Sequence, residues 1–300
     1  MAETFSKGNV FESFAAASEQ YGGKTAIRYL GTPFTYEQIL KLAEHFAASL
    51  REQGIQEGER VILYIPNSLH WIVSWLGVLR AGAVVLPITP IYTEHDLHYI
   101  ANDSQATAIV CSDTNYGYVE QVVPDTNLKT VVVVRLSHLL PWWKRLFGWG
   151  FDRVPRGKIA QEENVCSFQQ MVRSRGKQNH LPVLNARGEE TFELLYTGGT
   201  TKFPKGVPIS HGLYLESALE QIRVSEPLFP VTENVVVGTV PLFHILGQTC
   251  ALSTLLVGGT IIPMPKVNLD AIFDTVQRFK AKTLIGVPTL YRMILEHDRL

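Results

Sequence analysis

The chain is 300 residues long, with 46% hydrophobic residues, 18% charged residues and a formal net charge of −1. A chain of that size can bury roughly 75% of its unfolded surface, enough for a sizeable core and two subdomains, and its near-zero charge gives no electrostatic footprint for nucleic acid. Three widely spaced cysteines, Cys111, Cys166 and Cys250, fit reduced thiols in a cytoplasmic protein rather than a disulfide framework or a zinc site.

The start, Met1-Ala2-Glu3-Thr4, has neither a basic n-region nor an apolar h-region, so no signal peptide is expected. Thr35 and Gln38 form a capping-box pattern ahead of Ile39, Ala43, Phe46, Ala47 and Leu50, which share one helical face, and Gly54 closes that helix. Residues 60–66 read as a buried strand, 69–80 as a helix and 83–87 as a second strand. The apolar stretch 71–88 carries Arg80, Gly77 and Gly82, which argues against a membrane-spanning helix. Thr93 reads as an N-cap with Glu94 and Asp96 in the first turn; His95, Asp96 and His98 invite a metal, but the capping pattern is the preferred reading. Further strand-like runs lie at 108–111, 130–134, 235–238, 259–262 and 283–287. Strands that are apolar throughout and alternate with helices predict an α/β fold with largely parallel sheets covered on both faces. Two layered α/β/α subdomains are expected, one over 1–185 with the N-terminal segment and one over 186–300, with the polar stretch 173–179 and Pro182 as a connection.

The most informative run spans 195–207: Leu195-Tyr196-Thr197-Gly198-Gly199-Thr200-Thr201-Lys202-Phe203-Pro204-Lys205-Gly206-Val207. It follows an apolar, strand-like start (Phe192, Leu194, Leu195) and precedes a helix-like stretch after His211. Glycines let backbone N–H groups approach phosphate oxygens in a concave nest, threonine hydroxyls add donors, and Lys205 adds a full charge. The Walker pattern is absent, so this is a different kind of phosphate loop.

The run resembles the phosphate-loop signature of the adenylate-forming superfamily, which includes acyl-CoA synthetases, luciferases and peptide-synthetase adenylation domains. One position departs: Lys202 stands where that signature usually has glycine, at a cost of about 1 kcal/mol if the loop needs a left-handed residue there. The resemblance extends over Gly58-Glu59-Arg60-Val61 to Pro66-Asn67-Ser68, then from Leu79-Arg80-Ala81-Gly82 to Pro87-Ile88. It continues through Pro241-Leu242-Phe243-His244-Ile245-Leu246-Gly247, in its fatty-acyl version, and Gly286-Val287-Pro288-Thr289. These blocks keep the family's order from about Thr35 to Leu300. The family's adenine segment, its magnesium-holding glutamate, its ribose-holding aspartate and its C-terminal domain with a catalytic lysine have no counterpart here. The chain therefore resembles the first part of the large N-terminal domain, with the second subdomain incomplete at its C-terminal end.

The resemblance implies an acid–thiol ligase that uses ATP, Mg2+ and coenzyme A to convert a medium- or long-chain fatty acid to its CoA thioester through an acyl-adenylate. Magnesium and most CoA contacts are expected from segments absent here, and the isolated chain is expected to be inactive. Phosphate binding falls to Thr197, Gly198, Gly199, Thr200, Thr201 and Lys205. The acyl pocket falls to Phe243, His244, Leu246, Gly247 and Val287. Near the reacting carboxylate His244 is read as pocket wall rather than general base, because a carboxylate nucleophile is already ionised at neutral pH. For Leu246, Gly247 and Val287, plain helix packing is the competing reading. An aryl or other carboxylic acid is an alternative substrate, and a non-catalytic nucleotide- or partner-binding fragment is an alternative function. Trp142, Trp143 and Trp149, beside Lys144 and Arg145, suit peripheral contact at the inner face of a membrane. An inserted hairpin packed on the domain, or on a second copy in a homodimer, is placed ahead of it because two glycines and a proline disfavour a long amphipathic helix.

Overall fold

The structure is a computed structural model that describes residues 8–141, 157–159, 164–174, 181, 187–198 and 203–299. The expected hairpin with Trp142, Trp143 and Trp149 lies outside the described residues, as does most of the expected connection at 173–179.

Helix α1 (Val10–Tyr21) leads into the short strands β1 (Thr25–Tyr29) and β2 (Thr32–Thr35), and then into α2 (Tyr36–Glu52). Thr35 and Gln38 make the expected capping box, and Gly54 takes the left-handed φ of 89° just past the helix end. Five alternating elements follow: β3 (Arg60–Tyr64), α3 (Leu69–Arg80), β4 (Val84–Pro87), α4 (Glu94–Ser104) and β5 (Ala108–Ser112). Then come α5 (Tyr116–Val122), β6 (Thr130–Val134), β7 (Val165–Ser167) and α6 (Phe168–Arg173). The later part comprises β8 (Thr191–Tyr196), β9 (Gly206–Ser210), α7 (His211–Ser225), β10 (Val235–Gly238), α8 (Ile245–Ala251), β11 (Thr260–Pro263), α9 (Leu269–Phe279), β12 (Thr283–Ile285) and α10 (Pro288–Leu295). The last expected strand, 283–287, stops at Ile285 because Pro288 starts a helix with Val287 as its N-cap.

Two sheets result. One is seven-stranded, in the order β7-β6-β5-β3-β4-β8-β9; the other is five-stranded, in the order β12-β10-β11-β1-β2. Neighbouring strands pair in parallel except at the hairpins β1–β2 and β8–β9. Both sheets draw strands from either side of residue 185: Ile27 of β1 pairs with Ile261 of β11, while β8 joins β4 through Val85 and Glu193. Sheet membership therefore does not follow the 1–185 and 186–300 division.

The central strands of the seven-stranded sheet are buried on both faces, as their uninterrupted apolar runs require. Val61 and Leu63 enter a core shared with α1, α2, α3 and the five-stranded sheet, whereas Ile62 and Tyr64 enter a second core under α4 and α5. Helix α3 is buried from Leu69 to Leu79. It lies against α2 closely enough that a Cβ on Gly77 would meet the Phe46 ring at 2.7 Å. No described helix is long and apolar enough to cross a membrane.

Candidate functional site

Strands β8 and β9 pair antiparallel up to Tyr196 and Gly206, and the residues between them form the loop singled out in the sequence. Its neck is closed by Thr197 and Lys205. The Thr197 N–H donates to the Lys205 carbonyl at 3.0 Å, and the Lys205 N–H donates to Thr197 Oγ1 at 3.4 Å. A hydroxyl that accepts there still has its own hydrogen to donate to an anion. Thr197, Gly198 and Lys205 are exposed. Gly199, Thr200, Thr201 and Lys202 lie outside the described residues.

The far limb of the loop is fastened to α4. Tyr99 Oη donates to the Pro204 carbonyl at 3.2 Å, and the Tyr99 ring stacks on Phe203 at 4.8 Å. One turn further along the same helix, Asp103 accepts from Tyr196 Oη at 2.6 Å. Burial, reinforced by the Asp103 carboxylate, pushes the Tyr196 phenol above its ordinary range. Sequence reasoning took α4 only as a capped helix and missed both residues; their spacing of four was the available signal. The capping itself is present: the Asp96 carboxylate accepts from the Thr93 N–H at 3.1 Å and from its hydroxyl at 3.2 Å. Among the described residues no group of three or more His, Cys, Asp or Glu is arranged to hold a metal ion.

The second block follows β10. His244 is the N-cap of α8, extended at φ −108° and ψ 143°. It is exposed, its ring lies 4.6 Å from that of Phe243, and partial desolvation lowers its pKa from the ordinary value. Leu242 is fully buried and gives the block its anchor. Gly247 is buried, and a Cβ there would stand 2.2 Å from the Pro241 carbonyl oxygen, so the glycine lets α8 fold back on its own leading segment. Leu246 borders a groove of about 340 Å³ whose walls include Val224, Cys250, Ile285, Gly286 and Tyr291. Phe243, His244 and Val287 do not line that groove; Val287 sits at the N-terminus of α10 and is 48% exposed.

Two buried side chains that sequence reasoning left without a role tie these parts together. Asn67, just before the Ser68 N-cap of α3, bonds the backbone of Val240 and Leu242. Glu193, three residues before Tyr196, bonds Gln248, four residues after His244. Neither link has a sequence signal, since the partners are 175 and 55 residues apart.

A family model described as AMP-binding enzyme matches residues 14–300. The long-chain-fatty-acid–CoA ligase of Bacillus subtilis (strain 168) is 28% identical over 293 residues, covering 95% of this chain and 51% of that protein. The chain thus spans about half the length of the curated relatives it matches. The crystal structure of a long-chain-fatty-acid-CoA ligase from Archaeoglobus fulgidus is similar with a TM-score of 0.78 at 25% identity, over 97% of this chain and 54% of that one. An anthranilate CoA ligase in complex with anthranoyl-AMP shares the fold, with a TM-score of 0.78 at 21% identity over 99% of this chain and 54% of its own.

Proposed function

Because the chain belongs to the AMP-binding enzyme family, we propose that it is the phosphate-loop part of an acid–thiol ligase that activates a medium- or long-chain fatty acid. In that reaction the fatty-acid carboxylate attacks the α-phosphorus of ATP, pyrophosphate leaves, and the acyl-adenylate passes its acyl group to the thiol of coenzyme A with loss of AMP. The protein's part is positioning and charge stabilisation.

The observation that carries this reading is the neck of the loop, where Thr197 and Lys205 hold each other's backbone and both face solvent. The Thr197 hydroxyl would donate to a phosphate oxygen and the Lys205 ammonium would balance the β- and γ-phosphates. By sequence, the amides of Gly198 and Gly199 and the hydroxyls of Thr200 and Thr201 are the further donors expected for the phosphates. The groove beside Leu246, at about 340 Å³ and with mixed polar and apolar walls, is in the range of small-molecule pockets, and its apolar side at Val224 and Ile285 would take an alkyl chain. Magnesium, when bound, would neutralise the departing pyrophosphate. The described residues offer it no ligand cluster.

The reading places the protein in the cytoplasm, where ATP, coenzyme A and its free thiols Cys111, Cys166 and Cys250 coexist. Peripheral membrane contact through Trp142, Trp143 and Trp149 belongs to the same proposal. Liposome co-sedimentation that is unchanged in Trp142→Ala/Trp143→Ala would remove it. A homodimer is checked by sedimentation of the same protein.

The test of function is ATP binding followed by pyrophosphate exchange with octanoate, palmitate and benzoate, comparing the intact enzyme that contains this chain with its Lys205→Ala variant. Exchange with the alkyl acids and weaker ATP binding in the variant support the proposal. Exchange with benzoate alone moves the substrate to the aryl class. ATP binding that Lys205→Ala leaves unchanged removes the phosphate assignment. Binding without exchange for any acid makes the chain a nucleotide-binding module.

A further inference from the structure

Strand β8 carries a glutamate where an apolar side chain would be expected. Glu193 lies between Phe192 and Leu194, pairs in register with Val85 of β4 and Ile209 of β9, and is fully buried. Its Oε1 accepts from Gln248 Nε2 at 2.7 Å, and the same amide donates to the Leu242 carbonyl at 2.9 Å. Tyr214 Oη of α7 donates to the Gln248 carbonyl at 3.3 Å, and the Tyr214 and Trp75 rings close the cluster, 5.7 Å apart. Glu193 Oε2 and Gln248 Oε1 are buried without a partner among the described residues. An ionised carboxylate is costly in such a place, and no lysine or arginine pairs with it among the described residues. Burial accordingly holds the Glu193 carboxyl up at about 8, against the weaker pull of the Gln248 amide and the Trp75 indole N–H. The titratable neighbours are Tyr214 of α7, Cys250 of α8, and His211 stacked on Phe192. Burial pushes the first two up and holds the third down, so all three are uncharged at neutral pH.

We propose that Glu193 is a positioning residue for the phosphate loop: through Gln248 its neutral carboxyl ties the strand ending at Tyr196 to the helix beginning after His244. The link fixes the spacing between the loop and the segment Pro241–Gly247. It depends on a proton, because a carboxylate buried there needs solvation beyond the one Gln248 amide, and water reaches it only when the strand and helix part. The inference rests on the phosphate-binding reading of the loop for its meaning, but not for its test.

The first experiment is amide hydrogen exchange at Thr197 and its neighbours at the loop neck, corrected for intrinsic rates, on either side of the pH at which Glu193 ionises. The wild-type protein is expected to lose protection there several-fold as pH rises from the ordinary glutamate range toward about 8, and to level off above it. Glu193→Gln, which stays neutral and keeps an acceptor for Gln248, is expected to show no such step. Gln248→Met cuts the link at every pH, and its neck is expected to exchange fast already at neutral pH. Parallel profiles in wild type and Glu193→Gln would overturn the proposal, as would full neck protection in a folded Gln248→Met protein. ATP affinity measured across the same range should follow the exchange profile. Absence of ATP binding at any pH would count against the phosphate reading, and the exchange comparison would still decide the positioning role.

Discussion

The Asn67 side chain holds Leu242 in place: its Oδ1 accepts from the Leu242 N–H at 2.8 Å, while its Nδ2 donates to the Val240 carbonyl at 2.9 Å. Asn67 follows a strand of the seven-stranded sheet and Leu242 follows a strand of the five-stranded one, so one buried amide brackets the segment leading to His244 across the two sheets. Asn67→Ala would leave a buried N–H and a buried carbonyl without partners, a loss of about 2–3 kcal/mol. Urea denaturation should show a lower midpoint with an unchanged m-value. Asn67→Asp should not rescue it, because it keeps the acceptor but loses the donor and adds a buried charge. A variant as stable as wild type would mean that the bracket is not held by this side chain.

Gly247 and Gly198 make a contrasting pair. A Cβ at Gly247 would stand 2.2 Å from the Pro241 carbonyl, whereas one at Gly198 would meet nothing within 4 Å among the described residues. Gly247→Ala must push α8 off the segment before it, at a cost of about 1–3 kcal/mol typical of overpacking. Gly198→Ala should leave the melting temperature unchanged and alter nucleotide binding alone, if the loop amide there approaches phosphate. Equal stability of the two variants would show that α8 can shift without penalty.

What could be read in the sequence was local. Helix Leu69–Arg80 and strands Thr130–Val134 and Val235–Gly238 have the bounds their sequence patterns imply. In each case a capping residue or an uninterrupted β-branched run sets the ends within a few residues. The β1–β2 hairpin was not legible: its two-residue turn is Leu30-Gly31, with φ 46° and 75°, and leucine is not a residue that signals two positive φ values. That β1 pairs with Ile261 of β11 depends on a partner more than two hundred residues away. The loop at 197–205 was visible as chemistry, because its glycines, threonines and lysine have few bland explanations together. Its fastening by Tyr99 and Asp103, and the buried Glu193, were not, since an aromatic or an acid on a helix or strand reads as ordinary until its partner is known.

The Tyr99 contact predicts an effect on binding, with some loss of stability in Tyr99→Ala because the ring also packs against the core under α4. Tyr99→Ala removes the stack on Phe203 and the hydrogen bond to the Pro204 carbonyl, leaving the loop to sample other positions. The stack is worth about 0.5–1.5 kcal/mol, so ATP affinity should fall by a factor on the order of 2–10. Tyr99→Phe, which keeps the ring and loses only the hydroxyl, should fall in between. Isothermal titration with ATP, alongside a thermal melt, checks both; identical affinities in all three proteins would mean that the loop does not depend on α4.

Two buried histidines set the stability of the fold at low pH. His70 is fully buried with neither ring nitrogen hydrogen-bonded among the described residues, edged against Tyr29 at 5.9 Å and Phe168 at 5.2 Å, and burial lowers its pKa to about 3. His211 accepts from the Val10 N–H at Nδ1 and is lowered by burial to about 4. An unfolded chain protonates histidine near 6.5, so between that pH and the folded values the unfolded state holds protons that the folded state does not. Stability therefore rises with pH across that window and falls as pH drops through it, by about 1.4 kcal/mol per pH unit for each histidine. His70→Phe breaks no hydrogen bond and adds only a small volume to an aromatic site. It should cost about 1 kcal/mol at neutral pH and lose less stability than wild type on acidification. Denaturant midpoints at about pH 5 and about pH 7 decide the matter: parallel losses in the two proteins would mean that His70 is not the group being titrated.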